Sequence, residues 1–220
     1  MKRYALYFVP PRGPLAETAA RWLGRDAETG ATGAHPHPAL AVLSVNARRY
    51  GFHATLKAPF RLAEGQTEDD LVAAVEVFAA GARPFSIAGL RVASLDGFLA
   101  LVPDGEPEAL NAFAAQVVTR FERFRAPLTE AERAGRNPDR LNPRQRALLD
   151  RHGYPFVLDQ FRFHMTLTDR LTPDQCAELR PLAERLFAPV LPRPFPIGQI
   201  AIFGEGRDGL FHQLHRMRLG

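Results

Sequence analysis

The sequence predicts an α+β fold that is bilobal and internally duplicated, with two antiparallel sheets, helices outside them and a central cleft. Three observations carry that prediction. Tyr50-Gly51-Phe52-His53-Ala54-Thr55-Leu56-Lys57 and Phe161-Arg162-Phe163-His164-Met165-Thr166-Leu167-Thr168 both alternate apolar and polar side chains, the period-two pattern of a half-buried strand. The order strand, helix, hairpin follows each of them, at a spacing of about 111 residues. Pro84-Phe85-Ser86-Ile87 and Pro194-Phe195-Pro196-Ile197 share wording at matching places in the two halves. Residues 1–220 are therefore expected to form a single bilobal domain, with a helical insert at about 127–154.

Taken in order, Lys2 to Val9 alternates as a strand and Pro10-Pro11 stops it. Pro14 suits a first helical turn, and Leu15, Ala19, Trp22 and Leu23 recur at helical spacing up to Gly24. Residues 26–38 are rich in Gly, Thr, His and Pro and read as loop. The first His-x-Thr strand follows and ends at Pro59. Thr67 with Asp70 forms a capping box for a helix whose inward stripe is Leu71, Val72, Val75 and Phe78. Asp96-Gly97 is a strong turn pair between two apolar strands. An amphipathic helix covers 108–125, and the charged insert comes next, with caps at Thr129 and Asn142. After the second His-x-Thr strand, Thr172-Pro173 opens a helix, and a closing hairpin turns at 204–209.

A chain of 220 residues buries roughly 70% of its unfolded surface. The net charge of +4 favours anionic partners mildly, but it is not gathered into the tail or stripe of a nucleic-acid-binding protein. Cys176 is the only cysteine, which excludes an internal disulfide and a cysteine metal site. No apolar run has the length of a membrane span or of a signal peptide, so the expected location is cytoplasmic. His35-Pro36-His37-Pro38 lies in a Pro-rich loop with no acid or cysteine nearby, and His212 and His215, three apart on an expected strand, fall on opposite faces, which is poor ligand geometry.

The chemistry lies in the paired strands. Each presents His-x-Thr on its polar face: His53 with Thr55, and His164 with Thr166. Imidazole titrates near neutral pH, so one ring can take a proton while the other gives one. In-line displacement at phosphorus requires that pair of transfers. The threonine hydroxyls can donate to non-bridging oxygens, and Lys57 and Arg162, on the same faces, can neutralise charge. Arg162 could instead pair with an acid such as Asp159 or Asp169. The constellation requires no metal and no cofactor.

His53-Ala54-Thr55-Leu56 and His164-Met165-Thr166-Leu167 resemble the two H-x-T-h motifs of the 2H phosphoesterase superfamily, which includes RNA 2′-5′ ligase-like proteins and cyclic phosphodiesterases. The opening Arg3-Tyr4-Ala5-Leu6-Tyr7-Phe8-Val9-Pro10, Tyr50-Gly51-Phe52 and the Arg-rich insert are similar, more narrowly, to a subgroup associated with phosphonate-utilisation genes. The resemblance implies a site between the lobes, with His53 and His164 as the catalytic pair and Thr55 and Thr166 on the phosphate. Lys57, Arg162 and Tyr7 are further candidates for substrate binding. The implied activity is metal-independent hydrolysis of a cyclic phosphodiester, a ribosyl cyclic phosphate or related sugar or nucleotide phosphate. Its alternatives are 2′,3′-cyclic phosphate processing or 2′-5′ ligation of RNA ends, or an inactive relative that binds RNA or nucleotide. The expected partner is a small anionic phosphodiester, with an RNA end as the other possibility; no membrane and no obligate protein partner is implied.

Overall fold

The computed structural model describes residues 1–220. Strand β1 (Tyr4–Phe8) is followed by α1 (Pro14–Leu23), which starts on Pro14 and ends where Gly24 turns left-handed, at φ 68°. Two short helices, α2 (Leu40–Leu43) and α3 (Val45–Tyr50), precede β2 (Ala54–Phe60). Helix α4 (Glu68–Gly81) carries the Thr67–Asp70 capping box. Strands β3 (Phe85–Ile87), β4 (Leu90–Leu95) and β5 (Phe98–Pro103) come next, with β4 and β5 turning at Asp96 (φ 48°) and Gly97 (φ 90°).

The second half opens with α5 (Glu108–Arg120). The insert holds α6 (Glu130–Ala134) and α7 (Pro143–His152), each begun by a capping box, Thr129 with Glu132 and Asn142 with Gln145. Then follow β6 (Met165–Thr166), α8 (Pro173–Phe187, boxed by Thr172 and Gln175), β7 (Phe195–Ile197), β8 (Gln199–Glu205) and β9 (Phe211–Arg218).

The α+β class is as the sequence predicts, and the two halves meet edge to edge. Their strands form one seven-stranded antiparallel sheet in the order β4-β5-β6-β2-β1-β8-β9, and β3 pairs with β7 in a small second sheet. Each half's hairpin lies on the side of the other half's His strand. The two His-x-Thr strands, β2 and β6, are neighbours at the centre through the pair Ala54 and Met165. The expected pair of separate sheets is thus fused along this seam, because β6 completes its hydrogen bonds between β5 and β2.

Alternation along β1 divides the interior. Tyr4, Leu6 and Phe8 enter the main core with Trp22, Leu71, Phe113, Leu179 and Phe187 from the helices. Ala5, Tyr7 and Val9 point to the other face and pack with Phe203 and Phe211. Trp22 ties α1 to the second His strand, its indole N–H donating to the Leu167 carbonyl at 2.8 Å. That bond leaves no unsatisfied donor beneath one of the larger buried side chains.

Two expectations from the sequence are corrected here. Residues 40–50 are helical, where the first His strand was expected to follow the loop of 26–38 directly, and β2 begins only at Ala54. The second His segment, expected as a strand over 161–168, is strand only at Met165 and Thr166, and the Leu167 and Thr168 N–H groups both turn to the Leu99 carbonyl. Its alternation survives in burial: Phe163, Met165 and Leu167 are buried while Arg162 is exposed and His164 and Thr166 are half-buried.

Candidate active site

Antiparallel pairing of Ala54 with Met165 fixes what faces what. Continuing that register sets His53 opposite Thr166 and Thr55 opposite His164, all on one face. Directly opposed residues have Cβ atoms about 5 Å apart and diagonal ones about 7–8 Å. The two histidines occupy one diagonal of this square and the two threonines the other. A tetrahedral group at its centre would meet an imidazole on either side.

Each ring is fixed from behind. Nδ1 of His53 lies 2.8 Å from the Gly51 carbonyl, and Nδ1 of His164 lies 2.8 Å from the Arg162 carbonyl. A carbonyl only accepts, so Nδ1 carries the proton in both rings and Nε2 is left for chemistry. The Gly51 carbonyl reaches His53 because Gly51 turns out of α3 with φ 77°, and a Cβ there would lie 2.4 Å from that of Ala27. Only glycine suits that backbone. Nε2 of His53 accepts from the Thr55 hydroxyl at 3.1 Å. Tyr7 stacks on the same ring, 3.7 Å between centroids.

Burial lowers the pKa of both rings. The pKa of His53 is pushed down to about 4, chiefly by burial, against the opposing bond to Gly51 and with a smaller contribution from nearby His164. That of His164 is also lowered, again mainly by burial, with the Arg162 carbonyl opposing. Both directions follow from the cost of charging a ring with little water around it.

Two adjoining cavities meet at Thr55 and Tyr154. The larger, about 500 Å³, contains His53, Thr55 and Thr166 with Tyr7, Tyr50 and three arginines, Arg3, Arg49 and Arg136. The smaller, about 160 Å³, contains His164 among Phe98, Phe156 and Phe161, with Arg162 and Asp96 at its rim. The insert walls the larger cavity through Leu128, Glu132, Gly135, Arg136 and Tyr154. Nothing local in the sequence marks these three arginines as a group.

The structure thus brings together His53, His164, Thr55, Thr166 and Tyr7, with Arg162 at the margin, ion-paired to Asp96. The alternatives for Arg162 are otherwise engaged: Asp159 pairs with Arg144, and Asp169 accepts from the backbone of Asn46 and Ala47. Lys57 is corrected. Its side chain is covered, 3% exposed, and its ammonium donates to Glu122 at 2.7 Å and to the Val118 carbonyl. Thr168, its counterpart in the second copy, is also buried and accepts from the Leu99 N–H. The inequality between these two positions therefore lies outside the cavities. No cluster of three or more histidines, cysteines or carboxylates is placed to hold a metal ion, and no helix is long and apolar enough to cross a membrane.

A family model described as a protein of unknown function, DUF1045, matches residues 55–212. Among curated proteins, the chain is similar to a ribose 1,5-bisphosphate phosphokinase PhnN of Janthinobacterium sp. (strain Marseille), 42% identical over 95% of this chain and 49% of that protein. A protein of the same name from Laribacter hongkongensis (strain HLHK9) is 34% identical over 98% of this chain and 51% of that protein. The chain spans about half the length of these curated relatives. Among solved structures it is similar to TT0787 of Thermus thermophilus, with 15% identity and a TM-score of 0.48 over 99% of this chain and 97% of that one. E. coli LigT complexed with 3′-AMP gives 12% identity and a TM-score of 0.45 over 99% and 98%.

Proposed function

The chain belongs to the DUF1045 family, and on its paired histidines we propose that it is a phosphodiesterase that hydrolyses a cyclic phosphodiester by acid–base catalysis without a metal. The observation that carries this reading is the diagonal placement of two imidazoles, each with Nδ1 bound to a backbone carbonyl and Nε2 left for chemistry. Nε2 of His53 takes a proton from water as its oxygen attacks phosphorus. The bond from phosphorus to one ring ester oxygen breaks, and that oxygen receives a proton from Nε2 of His164, which enters the step as the imidazolium with its Nδ1–H still on the Arg162 carbonyl. Thr55 and Thr166 donate to the non-bridging oxygens. When Thr55 turns to the phosphate it releases Nε2 of His53, which it bonds in the free protein.

His53 is the base in this scheme because it is held neutral furthest down the pH scale, at about 4. Burial supplies that shift, and the Lys57 charge is turned away toward Glu122.

A ribosyl cyclic phosphate is the substrate we favour. The name of the curated relatives refers to ribose 1,5-bisphosphate, and opening a ribosyl cyclic phosphate yields a ribose phosphate. The chain has no Gly-x-x-x-x-Gly-Lys phosphate loop, so we assign the kinase activity named for those relatives to the part they do not share with it. A cavity walled by the insert suits a compact sugar phosphate better than an RNA strand. The test is a panel of cyclic phosphodiesters, sugar and nucleotide, followed by ³¹P NMR in the presence of EDTA. Opening of a sugar cyclic phosphate that His53→Ala and His164→Ala each slow by about 10²- to 10⁴-fold supports the reading. Turnover only after zinc or manganese is restored would replace it with metal-assisted hydrolysis.

A further inference from the structure

We propose that Arg49 and Arg136, with Arg3 beside them, form a second anion subsite that takes a phosphate monoester on the substrate, beyond the phosphodiester under attack. The proposal rests on the phosphodiesterase reading of the paired histidines and names the substrate class more narrowly, as a cyclic phosphate carrying a second phosphate.

The three guanidinium groups come from separate parts of the chain: Arg3 just before β1, Arg49 in α3 and Arg136 just after α6. All three line the cavity that holds His53. Glu205, buried at 5% exposure, fixes two of them. It accepts from Nε and Nη2 of Arg3 at 2.6 and 3.1 Å and from Nη2 of Arg49 at 2.8 Å. Nε of Arg49 donates to the Gly209 carbonyl. These bonds set the planes of both groups and leave Nη1 of each without a protein partner. Arg136 has no carboxylate partner; its guanidinium lies over the Tyr154 ring, 5.1 Å from the centroid.

The charge count favours an anion. Of the three cations, Arg3 and Arg49 share one carboxylate, Glu205, and Arg136 has none. The one carboxylate that lines the cavity, Glu132, is held by Arg61 through two bonds of 3.0 Å and by the cap of α6. A pre-oriented guanidinium matches phosphate with two donors at once, which makes it a better phosphate ligand than a mobile lysine. The His164 side offers no such match. Its cavity is walled by phenylalanines, and its one arginine, Arg162, is paired with Asp96. The substrate would therefore lie in one direction, its second phosphate on the His53 side. Arg136 belongs to the insert, so the insert would be the element that confers this selectivity.

Calorimetry on the intact protein tests the subsite without depending on turnover, using ribose 1,5-bisphosphate and ribose 1-phosphate as probes. The wild type should bind the bisphosphate at least about tenfold more tightly, tenfold being 1.4 kcal/mol. Arg136→Met, which has no protein ion pair to lose, should reduce that preference severalfold, and Arg49→Met with Arg136→Met should abolish it. Arg180→Met, an equal change of net charge on α8, should leave it intact. No preference in the wild type, or an unchanged preference in the double variant, overturns the subsite. If the preference follows Arg136 while no cyclic phosphodiester is opened, the subsite stands and the phosphodiesterase reading fails. The opposite pattern, turnover with a preference that ignores Arg136, separates the two the other way.

Discussion

The Tyr7 ring lies 3.7 Å from the His53 imidazole, centroid to centroid, with 22° between their planes. Tyr7 is 1% exposed and touches Phe203 as well, so one side chain both fills the smaller core and orients the base. Tyr7→Phe keeps the stack and should alter stability by less than about 1.5 kcal/mol, as volume-conserving core changes do. Tyr7→Ala removes the stack and leaves a void, costing about 3–5 kcal/mol. Urea denaturation of the two variants checks the difference. Equal losses would mean that the phenol hydroxyl, rather than the ring, is what the position requires.

Depressed histidine pKa values give the fold a pH signature. His53 is neutral in the folded state down to about 4, whereas in the unfolded chain it takes a proton near 6.5. The unfolded state thus binds more protons between those values, and stability falls as pH drops from about 6.5 toward 4. His164 acts in the same direction. Above pH 7 both contributions are fully present. A His53→Gln variant should show a flatter decline over that window when thermal midpoints are compared at several pH values. An unchanged slope would place the acid sensitivity in other groups.

The covered lysine makes a separate prediction. Lys57 is 3% exposed and reaches Glu122, which also accepts from Arg125 and lies 3.5 Å from His152. Burial lowers the Lys57 pKa, with the Glu122 contact opposing. Glu122→Gln would strand a buried ammonium, and breaking a buried pair in this way costs about 3–5 kcal/mol. Because Lys57 faces away from the cavities, the KM of a well-folded Lys57→Met variant should stay near the wild-type value. A large rise in KM at unchanged stability would return Lys57 to the phosphate.

Much of this was legible in the sequence, where the signals are local. Four capping boxes name their own residues, at Thr67, Thr129, Asn142 and Thr172. Asp96-Gly97 specifies its turn through two positive φ angles. Residues 40–50 were missed because their helices lack a local cap: the N–H groups of Asn46 and Ala47 are satisfied by Asp169, over 120 residues away. Alternation correctly put His53 and Thr55 on one face, but it could not say that Val118 and Glu122 would cover the next polar position. It also could not mark three arginines in a chain whose basic residues are arginine except for Lys2 and Lys57. Only the fold brings Arg3, Arg49 and Arg136 to one cavity.

The division of labour between the histidines gives the most decisive prediction. General acid–base groups contribute on the order of 10²- to 10⁴-fold each, so His53→Ala and His164→Ala should each lower kcat by about that factor. The double variant should lose less than the product of the two, since both groups serve one concerted transfer. The kcat/KM profile of the free enzyme should be bell-shaped, its acid limb set by His53 at about 4 and its alkaline limb by His164, which burial holds below its ordinary value. Activity should therefore peak on the acid side of neutrality. A substrate whose leaving oxygen needs no proton, such as an ester of an acidic phenol, bypasses the general acid but still needs the base. It should restore turnover to His164→Ala and leave His53→Ala impaired. Rescue of His53→Ala alone would reverse the two roles, and rescue of neither would show that the imidazoles hold the phosphate rather than move protons.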